Sequence, residues 1–208
     1  RPDVVAVHDA NRLVPGFVAV HPAVIPLLNR FDGTATVRDV AAGRVPVPAL
    51  CDLVAALDEA LLLDGPAFAA YLTGPVRKPS CVGCYPDDPA GMRELFDGLF
   101  TAPGGPGLPG ARNPDGRRLR AVLVPHMDYG RGGVTYGWGF KELAERTDAR
   151  LFVIVATSHY SAERFTLTRM NFATPLGVAE TDQRYVDALV KHYGDGLFDD
   201  PFAHLPEH

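Results

Sequence analysis

Two short apolar runs, each leading into a histidine, constrain this chain more than any other feature. LRAVLVP (119–125) ends at His126, and LFVIVAT (151–157) leads through Ser158 to His159. Both runs are rich in β-branched residues, which favour extended backbone and suit buried strands. Between them, GVTYGWGFKELAER (133–146) reads as a helix. Strand, helix, strand in about 40 residues is a βαβ unit, which predicts a parallel pair with a right-handed crossover. Parallel neighbours end on one sheet edge, and ligands bind outside those carboxyl ends. The pattern therefore predicts that His126 and His159 lie close in space, although a whole helix separates them in sequence. Neutral imidazoles that converge are natural ligands for zinc, iron or copper. The competing reading is two unrelated histidines at the surface or the core edge.

The rest of the chain is organised around that unit. Met92, Leu95, Phe96 and Leu99 recur at helical spacing and predict a helix over 88–100. The Gly/Pro-rich stretch 101–118 has no evident means of packing itself and is expected to be mobile. FTLTRM (165–170) is a candidate third strand, and Thr181 a candidate cap for a helix running to Tyr193. Ahead of residue 74 the pattern is different. VVAV (4–7) and FVAV (17–20) suggest a hairpin around Pro15 and Gly16. Residues 22–31 read as a short buried helix, stopped by Asp32-Gly33. Thr36 is placed to cap another helix through Ala42. Residues 48–63 form the clearest helix, with an apolar stripe of Leu50, Leu53, Val54, Leu57 and Leu61. These elements predict a separate, mostly helical module over 1–74, whose core is marginal at that size. GPVRKPS (74–80) reads as the linker, with 75–80 joining the module to an α/β domain over 81–208.

Bulk properties exclude some classes of function. A net charge of -5 leaves no electrostatic footprint for nucleic acid or an anionic membrane. No apolar run reaches the length of a transmembrane helix. The sequence shows no secretory-type start, and its 3 cysteines are too few for a disulfide scaffold, so a cytoplasmic setting is expected. Cys81 and Cys84 make a C-x-x-C, but no second pair exists to complete a zinc site, and structural cysteines are the favoured reading. His204 and His208 are spaced H-x₃-H, which Pro206 removes from a helix. Gly130, Gly132 and Gly133 open a helix and fit either an anion cradle or close packing, the latter preferred for want of a P-loop lysine. Tyr129 and Tyr160 flank the two histidines, in reach of a substrate or as rim packing.

The residues around the histidines also carry a family resemblance. VPHMDYG (124–130), SH (158–159) and TPLG (174–177) occur in the order and spacing of the Memo family, also called the AmmeMemoRadiSam system protein B family. CVGCYP (81–86) resembles that family's opening signature, and PEH (206–208) the start of its glutamate-histidine-serine motif. The resemblance covers residues 79–208. It implies a class III extradiol dioxygenase-like fold, a mixed and largely parallel sheet with flanking helices. It implies that His126 and His159 are metal ligands and that His208 faces the pocket. The family's further ligands, a histidine and a cysteine, have no counterpart in this sequence, so the domain is expected to continue past residue 208. Met127-Asp128 depart from the family's alanine-glycine, which adds a carboxylate beside the first ligand. Asp128 is open to a role as third ligand, in the two-histidine, one-carboxylate pattern of non-haem iron oxygenases. Fixing the turn or orienting the imidazole is favoured over that role.

LLNRFDGTATVRDVAAG (27–43) resembles the small winged-helix PqqD-like domain, which binds peptides for radical enzymes by adding a strand. The alternative is a helical cap. Two functions are implied. One is a metal-dependent redox or oxygenase-type enzyme using iron, copper or zinc, in which Tyr129, Asp128 and His208 act on a small-molecule or peptide substrate. The other is a non-catalytic binding protein that partners a radical SAM protein.

Overall fold

The computed structural model describes residues 3–80, 83–113 and 115–207. The chain divides into two compact units, Arg1–Pro75 with Asp200–Glu207, and Val76–Asp199. The candidate cysteine pair lies partly outside the described residues, at Cys81, and so does His208.

The first unit opens with an antiparallel hairpin. β1 (Val5–His8) pairs with β2 (Phe17–Val20), with Val5 opposite Val20 and His8 opposite Phe17. These two strands form a sheet of their own. The Asp9 carboxylate accepts from the amides of Asn11 (2.9 Å) and Leu13 (2.7 Å), which fixes the start of the connection. The helix expected over 22–31 is shorter. A tight turn at Pro22–Val24 precedes α1 (Ile25–Leu28), because Pro26 has no N–H to carry a helical ladder back to residue 22. α2 (Val37–Ala41) begins at a full capping box. The Asp39 amide donates to Thr36 Oγ1, while Asp39 Oδ2 accepts from the Thr36 amide. α3 (Val47–Glu59) carries Pro48 in its first turn, as expected, and ends short of residue 63, with Leu61 in left-handed backbone at φ 61°. A further helix that sequence reading missed, α4 (Pro66–Leu72), starts at Gly65 with Pro66 as its first residue. Leu27, Val40, Ala41 and Leu50 form the core, flanked by Phe31, Val37, Val45, Val47 and Leu53. Arg30 ties α1 to α2 by donating to the carbonyls of Val40 and Asp39, each at 2.9 Å.

The second unit is mixed α/β, but its sheet is not the expected one. β3 (Val76–Arg77) lies in the stretch read as a linker and pairs in parallel with β4 (Asn171–Thr174). β5 (Gly177–Ala179) pairs antiparallel with β4. No strand forms at 165–170, where one was expected; β4 follows directly after it, from Asn171. The runs 119–125 and 151–157 join no ladder among the described residues. Their composition fixes an extended tendency, but a ladder needs a partner brought from far along the chain, which local pattern does not supply. The first run still alternates: Val122 and Val124 lie against Gly139, while Leu123 between them is 97% exposed. The second run is exposed throughout.

Among the described residues, three α-helices and a short 3₁₀ turn (Asp195–Phe198) complete the unit. α5 (Pro89–Thr101) is capped by Asp88, whose carboxylate accepts from the amides of Ala90 and Gly91, both at 2.9 Å. α6 (Tyr129–Arg146) begins four residues before its expected start. α7 (Gln183–Tyr193) is capped by Asp182, not Thr181, whose hydroxyl instead donates to the Met170 carbonyl at 2.6 Å. α5 and α6 approach closely because α6 lacks side chains where they meet. A Cβ at Gly137 would stand 2.8 Å from the Leu99 carbonyl oxygen.

The loop 101–118, expected to be mobile, is pinned along α6. Lys141 donates to the carbonyls of Pro106 (2.8 Å) and Leu108 (3.2 Å), and the Trp138 indole donates to Gly104 at 2.9 Å. Glu145, a buried carboxylate, accepts from the Gly110 amide at 2.7 Å. The loop has almost no apolar side chains with which to pack itself. The carbonyls of Gly104, Pro106 and Leu108 and the amide of Gly110 are satisfied by polar side chains of α6 instead.

Candidate functional site

His126 follows the 119–125 run just before α6, and His159 follows the 151–157 run. Their rings meet, with centroids 5.0 Å apart and planes 27° from parallel. Both side chains belong to exposed residues of the second unit. The juxtaposition that the βαβ pattern predicts is therefore present, although the ladder that would explain it is not. A metal about 2.1 Å from one nitrogen of each imidazole lies about 3.2 Å from each ring centre. At a tetrahedral angle those centres then stand about 5 Å apart. The spacing of the ring centres is compatible with two imidazoles on one ion, although the near-parallel, stacked rings would have to turn to bring both in-plane lone pairs onto it. Two imidazole nitrogen donors suit zinc, copper or iron.

The neighbouring residues divide into those near the rings and those committed elsewhere. Asp128 is the N-cap of α6. Its Oδ1 accepts from the Arg131 amide at 3.0 Å, and its Oδ2 pairs with Arg131 Nε. The Arg131 side chain, then its amide, hold the Asp128 carboxyl below its ordinary value of 3.8. Both carboxylate oxygens are thus engaged in starting the helix. Among the described residues no group of three or more His, Cys, Asp or Glu side chains gathers as for an ion.

Tyr129 sits in the first turn of α6, half-buried. Phe96 meets it edge-on at 5.8 Å and Tyr136 at 5.3 Å. Burial raises its phenol pKa above the ordinary 10.0, with Tyr136 and Tyr85 adding to the effect. It is a protonated hydrogen-bond donor at neutral pH. Tyr160 meets the His159 ring at 6.4 Å. Cys84 is exposed and unpaired in any disulfide. Gly132 and Gly133 face Met127 and Leu99, which is the packing use of these glycines.

Sequence reading passed over two residues near the first histidine, Arg131 and Tyr136. Tyr136 is two turns on from Tyr129 and one turn before Phe140, so the three share a helix face. That spacing was the available signal.

A family model described as Memo-like protein matches residues 77–208. The chain belongs to the Memo-like family. It is 26% identical over 223 residues to a MEMO1 family protein of Aquifex aeolicus, covering 99% of this chain and 56% of that one. It is 33% identical over 135 residues to the MEMO1 family protein MK0963 of Methanopyrus kandleri, covering 64% of this chain and 47% of the relative. The chain thus spans about half the length of these Memo-like relatives. The Aquifex match takes in the front unit as well as the Memo-like region. No solved structure matches.

Proposed function

We propose that the second unit is a metal-binding unit in which His126 and His159 offer their imidazoles to a single ion, iron, copper or zinc. The observation that carries this reading is the 5.0 Å separation of the two rings. Two imidazoles alone hold an ion weakly, so water or further groups would fill the other positions. Bound there, such an ion would supply Lewis-acid or redox chemistry of the kind used in extradiol dioxygenase-type architectures. The chain's own residues have separate tasks. Asp128 starts α6 and so fixes the turn that follows His126. Tyr129, whose phenol is raised by burial above its ordinary value, would donate a hydrogen bond to a small-molecule or peptide substrate.

The test is calorimetric titration of the chelator-treated protein with Zn(II), Cu(II) and, anaerobically, Fe(II). One ion per chain is expected, with His126→Ala and His159→Ala each abolishing it while circular dichroism stays unchanged. Binding that survives both replacements would sink the reading. Oxygen uptake by the iron-loaded protein with candidate substrates separates an enzyme from a binder.

A second reading, a binding protein that partners a radical SAM enzyme, draws on the front unit. β1 and β2 form a two-stranded sheet, and an outer edge of such a sheet is where an extended peptide adds a strand in the PqqD-like manner. Backbone amide shifts confined to residues 5–8 or 17–20 on adding a peptide would favour it.

A further inference from the structure

Tyr136 makes an arrangement that helix formation does not require. Its hydroxyl donates to the Met127 carbonyl at 3.0 Å and accepts from the Met127 amide at 3.3 Å. One phenol oxygen therefore grips both polar groups of the residue directly after His126. The Met127 amide belongs to the peptide that carries the His126 carbonyl, so the grip acts on the backbone from which the imidazole projects.

The surroundings fix the phenol in turn. Tyr129 stands edge-on to it at 5.3 Å, and Phe140 stacks against it at 6.1 Å with planes 21° apart. Gly132 lies between Tyr129 and Tyr136 on the helix. A Cβ there would stand 2.6 Å from Met127 Cγ and 3.4 Å from Tyr136 Cε2. The missing side chain leaves the room in which Met127 and the two tyrosines meet.

We propose that Tyr136 is a positioning residue for His126, whose hydroxyl holds the Met127 backbone so that the imidazole stays against His159. The proposal rests on the metal reading only for its effect on affinity; the ring placement stands without an ion. Support for a ligand that is itself hydrogen-bonded is worth about ten- to a hundredfold in metal affinity, and a grip acting through the backbone belongs at the lower end.

Tyr136→Phe removes the oxygen and keeps the ring contacts. In the metal-free protein, NMR cross-peaks between the His126 and His159 rings are expected in the parent and lost or weakened in the variant. With Co(II) as probe, affinity is expected to fall about tenfold, and the visible ligand-field spectrum to change while the melting temperature moves little. Unchanged ring cross-peaks in the variant would overturn the positioning role, whatever the metal result. No Co(II) binding by the parent, or binding that survives His126→Ala, overturns the metal reading instead, and the cross-peaks still decide Tyr136. In the unsubstituted protein the Met127 amide should exchange with deuterium well below its free-peptide rate. Exchange at that rate would also overturn the proposal, even if the variant failed to fold.

Discussion

The two units solve the burial problem differently. In the first, Leu50 is 2% exposed at the centre of a core made from α1, α2 and α3. In the second, the most β-prone run of the chain lies in solvent, with Ile154 87% and Val155 82% exposed. The core of the first unit is built from pieces that pack against near neighbours in sequence. Its helices start at local signals, the Thr36 capping box and Pro48, and the stripe on α3 meets residues within about two helical elements of it. The runs 119–125 and 151–157 can only be buried by partners distant in sequence. Short-range pattern is enough to build the helical core of α1, α2 and α3, although the first unit also takes in the distant segment Asp200–Glu207, and it is insufficient for the second unit.

The largest effect that could break this contrast is on stability. Leu50→Ala opens a cavity in a closed core and is expected to cost about 2–5 kcal/mol. Ile154→Ala removes a side chain already in water and should change stability by no more than about 0.5 kcal/mol. Urea unfolding of the whole protein measures both. An Ile154→Ala loss as large as that of Leu50→Ala would mean that the 151–157 run is buried in solution.

Within the second unit, the α5–α6 contact sharpens the contrast, because there a distant pairing is closed. Gly137→Ala puts a Cβ 2.8 Å from a backbone oxygen of Leu99, which cannot move without α5. Gly133→Ala meets only the tip of the Leu99 side chain, at 2.4 Å, which can turn aside. Each change also gains about 1 kcal/mol of helix propensity. Gly137→Ala should therefore be clearly destabilising, by about 1–3 kcal/mol of overpacking before that gain, and Gly133→Ala close to neutral. Thermal melts of the two variants should differ in that order, and equal melts would mean that α5 yields.

A smaller effect is expected at the pinned loop. Lys141→Met keeps the apolar stem and removes the bonds to Pro106 and Leu108. Amides of 104–110 should exchange faster with deuterium while the α6 interior is unchanged. Uniform exchange in both proteins would show that Lys141 is not what holds the loop.

These contrasts explain how far the sequence could be read. The hairpin, α2, α3, α5 and α7 were legible to within a few residues, because caps, prolines and apolar stripes act locally. The meeting of His126 and His159 was legible too, from two runs and a helix, even though no ladder joins the runs. The β3–β4 pairing was not, since Val76–Arg77 has only two residues and carries no periodic signal. The pinned loop was missed for a related reason. Its composition says only that it cannot pack itself, and the residues that hold it, Trp138, Lys141 and Glu145, sit about 30 positions away on α6. At the site, Asp128 was legible as a residue beside His126, but its commitment to Arg131 depends on where α6 begins.

The smallest expected effect compares the two units through one acid each. Asp39 in the first unit and Asp128 in the second both begin a helix, and both carboxyls are held below their ordinary value of 3.8. Their causes differ. Asp39 is lowered first by the Thr36 hydroxyl, then by the Thr36 amide, with the Arg30 charge the least of its contributions. Asp128 is lowered first by the hydrogen bond from the Arg131 side chain, a charged partner, then by the Arg131 amide, with the Arg131 charge itself a smaller contribution. A carboxyl lowered on folding stabilises the native state fully above its unfolded value, and that contribution is lost as pH falls through the folded value. Both helix starts should therefore weaken only as the solution is acidified below 3.8. Salt separates them. The Debye length shrinks to about 3 Å at 1 M salt, which screens an exposed ion pair but leaves hydrogen bonds from a hydroxyl and an amide largely intact. Carboxyl-carbon NMR titrations at low and high salt should show Asp128 moving back toward its ordinary value and Asp39 moving much less. Equal salt shifts at the two positions would mean that the Arg131 guanidinium does no more for Asp128 in solution than the Arg30 charge does for Asp39, leaving the Arg131 amide as what holds the carboxylate beside His126.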